Sequence, residues 1–126
     1  MRMRLIGAIM SIVFLFSTES YAHERTPAAI KVVKTYKAKV SWYKHGIKTA
    51  NGEVFNPYAY TAAHKTLPFG TLVKFTNMET NTYLIARIND RGPFIKNREF
   101  DLTLKCAIHL GIKKDGVVIL KIEIMG

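Results

Sequence analysis

Residues 71–93 read TLVKFTNMETNTYLIARINDRGP. Thr71–Thr76 carries Leu72, Val73 and Phe75, Asn77–Asn81 is polar and turn-forming, and Thr82–Ile88 is a second apolar, strand-like run. Two such runs across a short polar loop predict a β-hairpin. Asn89-Asp90-Arg91-Gly92-Pro93 then breaks the second strand, because Gly and Pro turn the chain away from a sheet.

Outward from the hairpin, the pattern stays mainly β. Lys37–Tyr43 alternates, with Val40 and Trp42 facing one way, and predicts a strand. Lys44–Pro57 contains Gly46, Asn51-Gly52 and Asn56-Pro57 and reads as a loop with fixed bends. Thr61-Ala62-Ala63-His64 leads into the turn Leu67-Pro68-Phe69-Gly70. Asp101–Leu110 is the clear helix: Asp101 suits an N-cap, Leu104, Ala107 and Ile108 fall at helical spacing, and Gly111 sits where a C′ glycine belongs. Gly116–Ile124 closes the chain as a strand, with Val118, Leu120, Ile122 and Ile124 on one face. Short strands, long loops and a helix predict a small β-barrel rather than a bundle.

The first residues read as an address. Arg2 and Arg4 precede the apolar run Leu5–Phe16, and Ser20-Tyr21-Ala22 has the small-x-small form of a cleavage site. That order predicts a signal peptide over residues 1–22. A bilayer span needs ~20 apolar residues, so no stable membrane anchor is expected after cleavage. No cysteine near the cut could accept a lipid. Residues 23–35 read as an N-terminal tether and 36–126 as one barrel domain. The product would be exported: periplasmic or secreted, and associated with the cell wall.

The chain carries 19 Lys and Arg against nine Asp and Glu, a formal charge of +10. Such a balance favours anionic partners, or else it serves only solubility. Export argues against nucleic acid, whereas wall polymers carry carboxylates or phosphates. The lone Cys106 rules out an intramolecular disulfide, so packing alone must hold the fold.

Three residues on loops or strand ends could carry chemistry: Glu53, His64 and Asp90. A carboxyl ending an apolar strand, like Asp90, is partly desolvated, the setting of a proton donor, while Arg87 and Arg91 oppose that. Each residue also has a plain structural reading. Asp90 could cap a turn or pair with Arg91. Glu53 could be a solvated turn residue, and His64 a core histidine with one hydrogen bond. Asp101 suits a helix cap better than a catalyst. Cys106 and His109 share a helical spacing open to a thiol and its base, but mid-helix packing of Cys106 fits better. His45, His64 and His109 match no closed zinc pattern, so neither metal nor cofactor is expected. Trp42, Tyr43, Tyr58 and Tyr60 gather around the first loop, where one or two aromatic faces could stack on sugars.

At these residues the chain resembles the rare lipoprotein A family. The likeness spans about Ala38 to Ile124 and rests on five ordered segments: Ser41-Trp42-Tyr43, residues 49–55 (TANGEVF), residues 61–71 (TAAHKTLPFGT), residues 87–94 (RINDRGPF) and Asp101-Leu102-Thr103. The resemblance implies a six-stranded double-psi β-barrel with one or two short helices. It implies a lytic transglycosylase that cuts between N-acetylmuramic acid and N-acetylglucosamine in peptidoglycan glycan strands, leaving 1,6-anhydro ends, including on strands without stem peptides. It carries the acid onto Asp90, a partner glutamate onto Glu53 and a histidine onto His64. Tyr43, Thr49, Asn89 and Arg91 are the expected substrate-binding groups. A monomer is expected. Trp42 and Cys106 stand where the family leads one to expect Tyr and Ala. The rival reading is a non-enzymatic, expansin-like protein that binds or loosens wall glycan in the same groove.

Overall fold

The computed structural model describes residues 30–126, so the expected signal peptide and most of the expected tether lie outside the described residues. Six strands and one helix follow in order: β1 Val32–Tyr43, β2 Thr61–His64, β3 Leu72–Asn77, β4 Thr82–Asp90, β5 Phe100–Thr103, α1 Leu104–Leu110 and β6 Val118–Met125. The strands close into a barrel in the order β1-β5-β2-β4-β3-β6. β1/β5 and β2/β4 are parallel pairs and the remaining pairs are antiparallel. Parallel neighbours cannot be joined by a tight turn. Long connections must therefore cross the barrel, as expected of a double-psi β-barrel.

The hairpin forms where the sequence places it. β3 and β4 pair from Leu72↔Arg87 to Asn77↔Thr82. Val73 and Phe75 of β3 point inward with Leu84, Ala86 and Ile88 of β4. Leu120, Ile122 and Ile124 of β6 join them, which is the apolar face predicted for the last strand. Each fully buried aliphatic or aromatic side chain contributes about 1.5–3 kcal/mol. Phe75 and Phe100 meet edge to face at 5.1 Å in the centre of this core.

Four boundaries differ from the sequence reading. β1 begins at Val32 and pairs with β6 from Val32↔Met125, so the sheet reaches into the segment expected to be a tether. Thr61–His64 is a strand, held between β4 and β5. Its Ala62 and Ala63 are too small to display an apolar period. β4 runs on through Asn89 to Asp90, because β2 supplies partners there, with a register shift between Ala62 and Ala63. Asp101 caps no helix: it lies inside β5, and Thr103 is the N-cap of α1, its hydroxyl accepting from the Cys106 N–H. Gly111 closes α1 in the left-handed conformation, as predicted. Cys106, Ala107 and Leu110 form the buried face of α1, while Ile108 is exposed.

Candidate active site

The parallel and antiparallel pairings bring four residues from four strands into one lateral row. Ser41 pairs with Asp101, Asp101 with Ala63, and Ala63 with Asp90. Val40, Leu102 and Ala62, each one residue from Ser41, Asp101 and Ala63, fill the core, so alternation turns those three away from it. Asp90 stands two residues beyond the buried Ile88 and joins them through the register shift between Ala62 and Ala63, an irregularity that re-aims a side chain. Ala63 lies between the two carboxyls and is nearly fully buried. Its small side chain adds little bulk between Asp90 and Asp101, whose Cα atoms stand two strand spacings, or about 10 Å, apart. Both acids are half-buried rather than walled off.

The β1–β2 connection, residues 44–60, folds over this face. Phe55 is buried and stacks on Tyr43, with ring centroids 4.8 Å apart. Gly46 permits that approach, since a Cβ there would lie 3.2 Å from the Phe55 ring. Further along, Lys48 and Val54 form an isolated bridge, and the Thr49 N–H donates to the Glu53 carbonyl at 2.8 Å. Gly52 turns this small loop at φ +93°, a region open to glycine. The result aims the Ala50 N–H at Asp90.

Asp90 meets three donors. Its Oδ1 accepts from the Ala50 and Arg91 N–H groups, both at 2.9 Å, and its Oδ2 accepts from the Tyr43 hydroxyl at 3.0 Å. Burial, then the Asp90 charge, raises the Tyr43 phenol well above its ordinary range, with Asp101 adding to the effect. Tyr43 thus feels both carboxyls and stays protonated. Asp101 accepts from the Ser41 hydroxyl, and the Arg98 guanidinium donates to the same Ser41 oxygen at 3.2 Å.

Glu53 is not a solvated turn residue. It takes both arms of Arg87 in a bidentate pair and a hydrogen bond from the Asn51 amide at 2.5 Å. Arg87, then Asn51, hold the Glu53 carboxyl down at about 2. A carboxylate so held is a fixed negative charge and not a proton donor. Asn51 also links the two acids, because its N–H donates to the Asn89 carbonyl at 3.2 Å, next to Asp90.

His64 does not meet Asp90. It follows Ala63 on β2 and turns to the other face. Its Nδ1 accepts from the Thr66 and Leu67 N–H groups at 3.1 and 3.0 Å, its Nε2 lies 3.5 Å from Glu99, and its ring packs on Phe100. Burial lowers its pKa, against the pull of Glu99. The link from His64 to the acid row is Arg91. That guanidinium donates to the His64 and Leu67 carbonyls at 3.3 and 2.9 Å and stacks 3.8 Å over Phe69. Arg91 therefore forms no side-chain pair with Asp90.

Of the other expected binding residues, Tyr43 reaches the row, while Thr49 and Asn89 are buried in the loop and strand that support it. The Asn89 Oδ1 is buried without a protein partner. Trp42 packs against the core and donates to the Lys113 carbonyl, and Tyr58 and Tyr60 lie exposed. Cys106 is fully buried and its thiol is raised by burial, while His109 is engaged with Tyr60 and the Tyr83 carbonyl. No thiol–imidazole pair exists there. Among the described residues no three His, Cys, Asp or Glu groups converge as metal ligands, and no helix is long and apolar enough to cross a membrane.

The sequence reading missed Asp101, Ser41 and Arg98. The signal for Asp101 was present, since Phe100-Asp101-Leu102-Thr103 alternates apolar and polar as a half-buried strand does.

The chain is 46% identical over 118 residues to a protein of Synechocystis named a probable endolytic peptidoglycan transglycosylase RlpA, covering 90% of this chain and 37% of that one. It is 42% identical to the endolytic peptidoglycan transglycosylase RlpA of Campylobacter jejuni (79% of this chain, 38% of that one) and 51% identical to that of Rickettsia bellii (66% and 39%). The chain thus spans less than two fifths of the length of these relatives. Among solved structures, the Streptomyces papain inhibitor superposes with a TM-score of 0.62 at 16% identity, over 76% of this chain and 98% of that one, a likeness of fold alone. The family model described as lytic transglycolase matches residues 35–122, and the chain belongs to that family.

Proposed function

We propose that this chain is a lytic transglycosylase of the cell wall that cleaves the bond between N-acetylmuramic acid and N-acetylglucosamine in peptidoglycan glycan strands. The observation that carries the reading is the Asp90–Tyr43–Asp101 cluster, a pair of half-buried carboxyls with a protonated phenol that hydrogen-bonds Asp90 and feels the charge of Asp101. The names of the relatives support the substrate.

Oδ1 of Asp90 is pinned by two backbone N–H groups, so Oδ2, which meets the Tyr43 hydroxyl, is the atom through which a proton passes to the substrate. Asp90 gives that proton to the glycosidic oxygen as the bond breaks. The muramic C6 hydroxyl attacks its own anomeric carbon and yields a 1,6-anhydro end, with no water consumed. Asp101, which accepts from the Ser41 hydroxyl, takes the hydroxyl proton. The transition state carries oxocarbenium-like positive charge. The fixed charge of Glu53 acts on it from a distance and, through Arg87 and Asn51, holds the loop that presents Ala50 to Asp90. Tyr43 orients Asp90. Thr49, Asn89 and Arg91 shape the cleft, and His64 acts through Arg91 rather than on the reacting atoms. The protein is exported, and works at the wall as a monomer after removal of residues 1–22.

Purified sacculi digested with the wild type should release anhydro-muramyl products detectable by mass spectrometry. Asp90→Asn and Asp101→Asn should each lower their release by about 10²–10⁴-fold, the usual worth of a general acid or base. A larger loss with Asp101→Asn than with Asp90→Asn would exchange their roles. Strand binding without any anhydro product from the wild type would refute the enzyme and favour a glycan-binding, wall-loosening protein.

A further inference from the structure

A cavity of about 860 Å³ opens beside the acid row, with neither Asp90 nor Asp101 in its lining. Lys34, Lys37, Lys39, Lys65 and Arg98 line it against one acid, Glu99. That acid is already engaged, accepting from the Tyr36 hydroxyl and facing the Nε2 of His64. Burial holds His64 toward its neutral form, so the cavity's positive charge resides on the lysines and Arg98.

The cavity is wired to the acid row in two ways. Lys37, Lys39 and Ser41 alternate along one face of β1, each about 6.8 Å beyond the last, and Ser41 is the residue that holds Asp101. The Glu99 N–H pins this stretch by donating to the Lys39 carbonyl at 2.9 Å. Arg98 lines the cavity and also donates to the Ser41 hydroxyl oxygen. A strand whose scissile linkage lay over Asp90 and Asp101 would continue along β1 past these cations.

We propose that this cavity is a subsite for a carboxylate carried by the glycan strand, seated between Arg98 and the lysines of β1 while the neighbouring linkage lies over the acid row. The inference rests on the proposed reading of the acid row and names what the substrate must carry beyond its sugars. A planar guanidinium accepts a carboxylate in a forked pair, and flexible ammonium groups add point charges around it. Two parts of peptidoglycan offer that group: the lactyl ether of the muramoyl sugar where its peptide has been removed, and the ends of stem peptides.

End-labelled, peptide-free glycan strands with free lactyl carboxylates should bind the wild type about tenfold more tightly than the same strands converted to methylamides, the difference shrinking with added salt. The triple variant Lys37→Gln/Lys39→Gln/Lys65→Gln changes only exposed side chains and should lose that discrimination. Its affinity for methylamide strands and its turnover at saturating strand should be unchanged. Peptide-bearing strands, with and without amidated peptide ends, tell the two sources apart, and binding through either supports the subsite. Equal wild-type binding of carboxylate and methylamide strands, or equal weakening of both in the variant, overturns it. Because dissociation constants are read without turnover, a protein that binds with this discrimination but never cuts would refute the enzyme and leave the subsite standing.

Discussion

Removing the charge of Glu53 tests whether that residue anchors the loop or donates a proton. In Glu53→Gln the bidentate pair with Arg87 is lost while side-chain volume is kept. The carboxyl lies at about 2 against an ordinary 4.5, which at 1.36 kcal/mol per unit would be worth roughly 3 kcal/mol if fully shielded. Both side chains stay partly open, Arg87 at 40% and Glu53 at 38% exposure, and pairs in that setting are worth ~0.2–1 kcal/mol. We therefore expect a loss of about 1 kcal/mol at pH 7, or a Tm lower by about 4–8 °C for a domain of this size. The sign with pH follows from the lowered folded pKa. The contribution is complete above the unfolded value near 4.5 and is lost as pH falls toward 2. Thermal melts followed by circular dichroism at pH 7, 5, 4 and 3 should show the gap between wild type and variant narrowing below pH 4.5. A double-mutant cycle with Arg87→Gln should return a coupling of about 0.5–1 kcal/mol. A gap that holds constant down to pH 3, or no gap at pH 7, would refute the anchoring account.

Tyr43→Phe keeps the stack on Phe55 but removes the donor to Asp90; sacculus digestion should slow by about tenfold, with a stability cost near 1 kcal/mol in urea titrations. Cys106→Ala should cost about 1–2 kcal/mol and leave digestion unchanged, and in the wild type a thiol reagent should label Cys106 only after denaturant is added. Thr103→Ala removes the cap of α1 and the hydrogen bond to the Ala59 carbonyl, and should lower stability by about 1 kcal/mol or more in the same titrations.

The sequence made the hairpin and the last strand legible because their apolar period survives in large residues, from Val73 to Ile88 and from Leu120 to Ile124. β2 was hidden because a strand buried on both faces between two neighbours needs no alternation, and Ala62-Ala63 offers none. Asp101 was misread for a related reason. An acid three residues before a helix resembles a cap, and only the pairing with Ser41 and Ala63 shows that the strand comes first. The five ordered segments name Asp90 and His64 together, but proximity in a motif is not proximity in space. His64 lies one residue beyond Ala63, the partner of Asp90, and that single step turns its imidazole to the opposite face of the sheet.

On the proposed reading, one barrel wall supports two chemistries. Residues at even spacing on β1 outside the core pass from Lys37 and Lys39 to Ser41 and Tyr43, so a single strand face changes from cations to the partners of two acids. Ala63 keeps the floor between those acids low, and the Arg87–Glu53 clamp holds the covering loop at its edge. A large side chain at position 63 would crowd the two acids, and loss of the clamp would free Ala50 from Asp90. The apolar core needs neither feature. Both fit the proposed site on the outer wall, where a polymer can lie across the strands without having to enter the barrel.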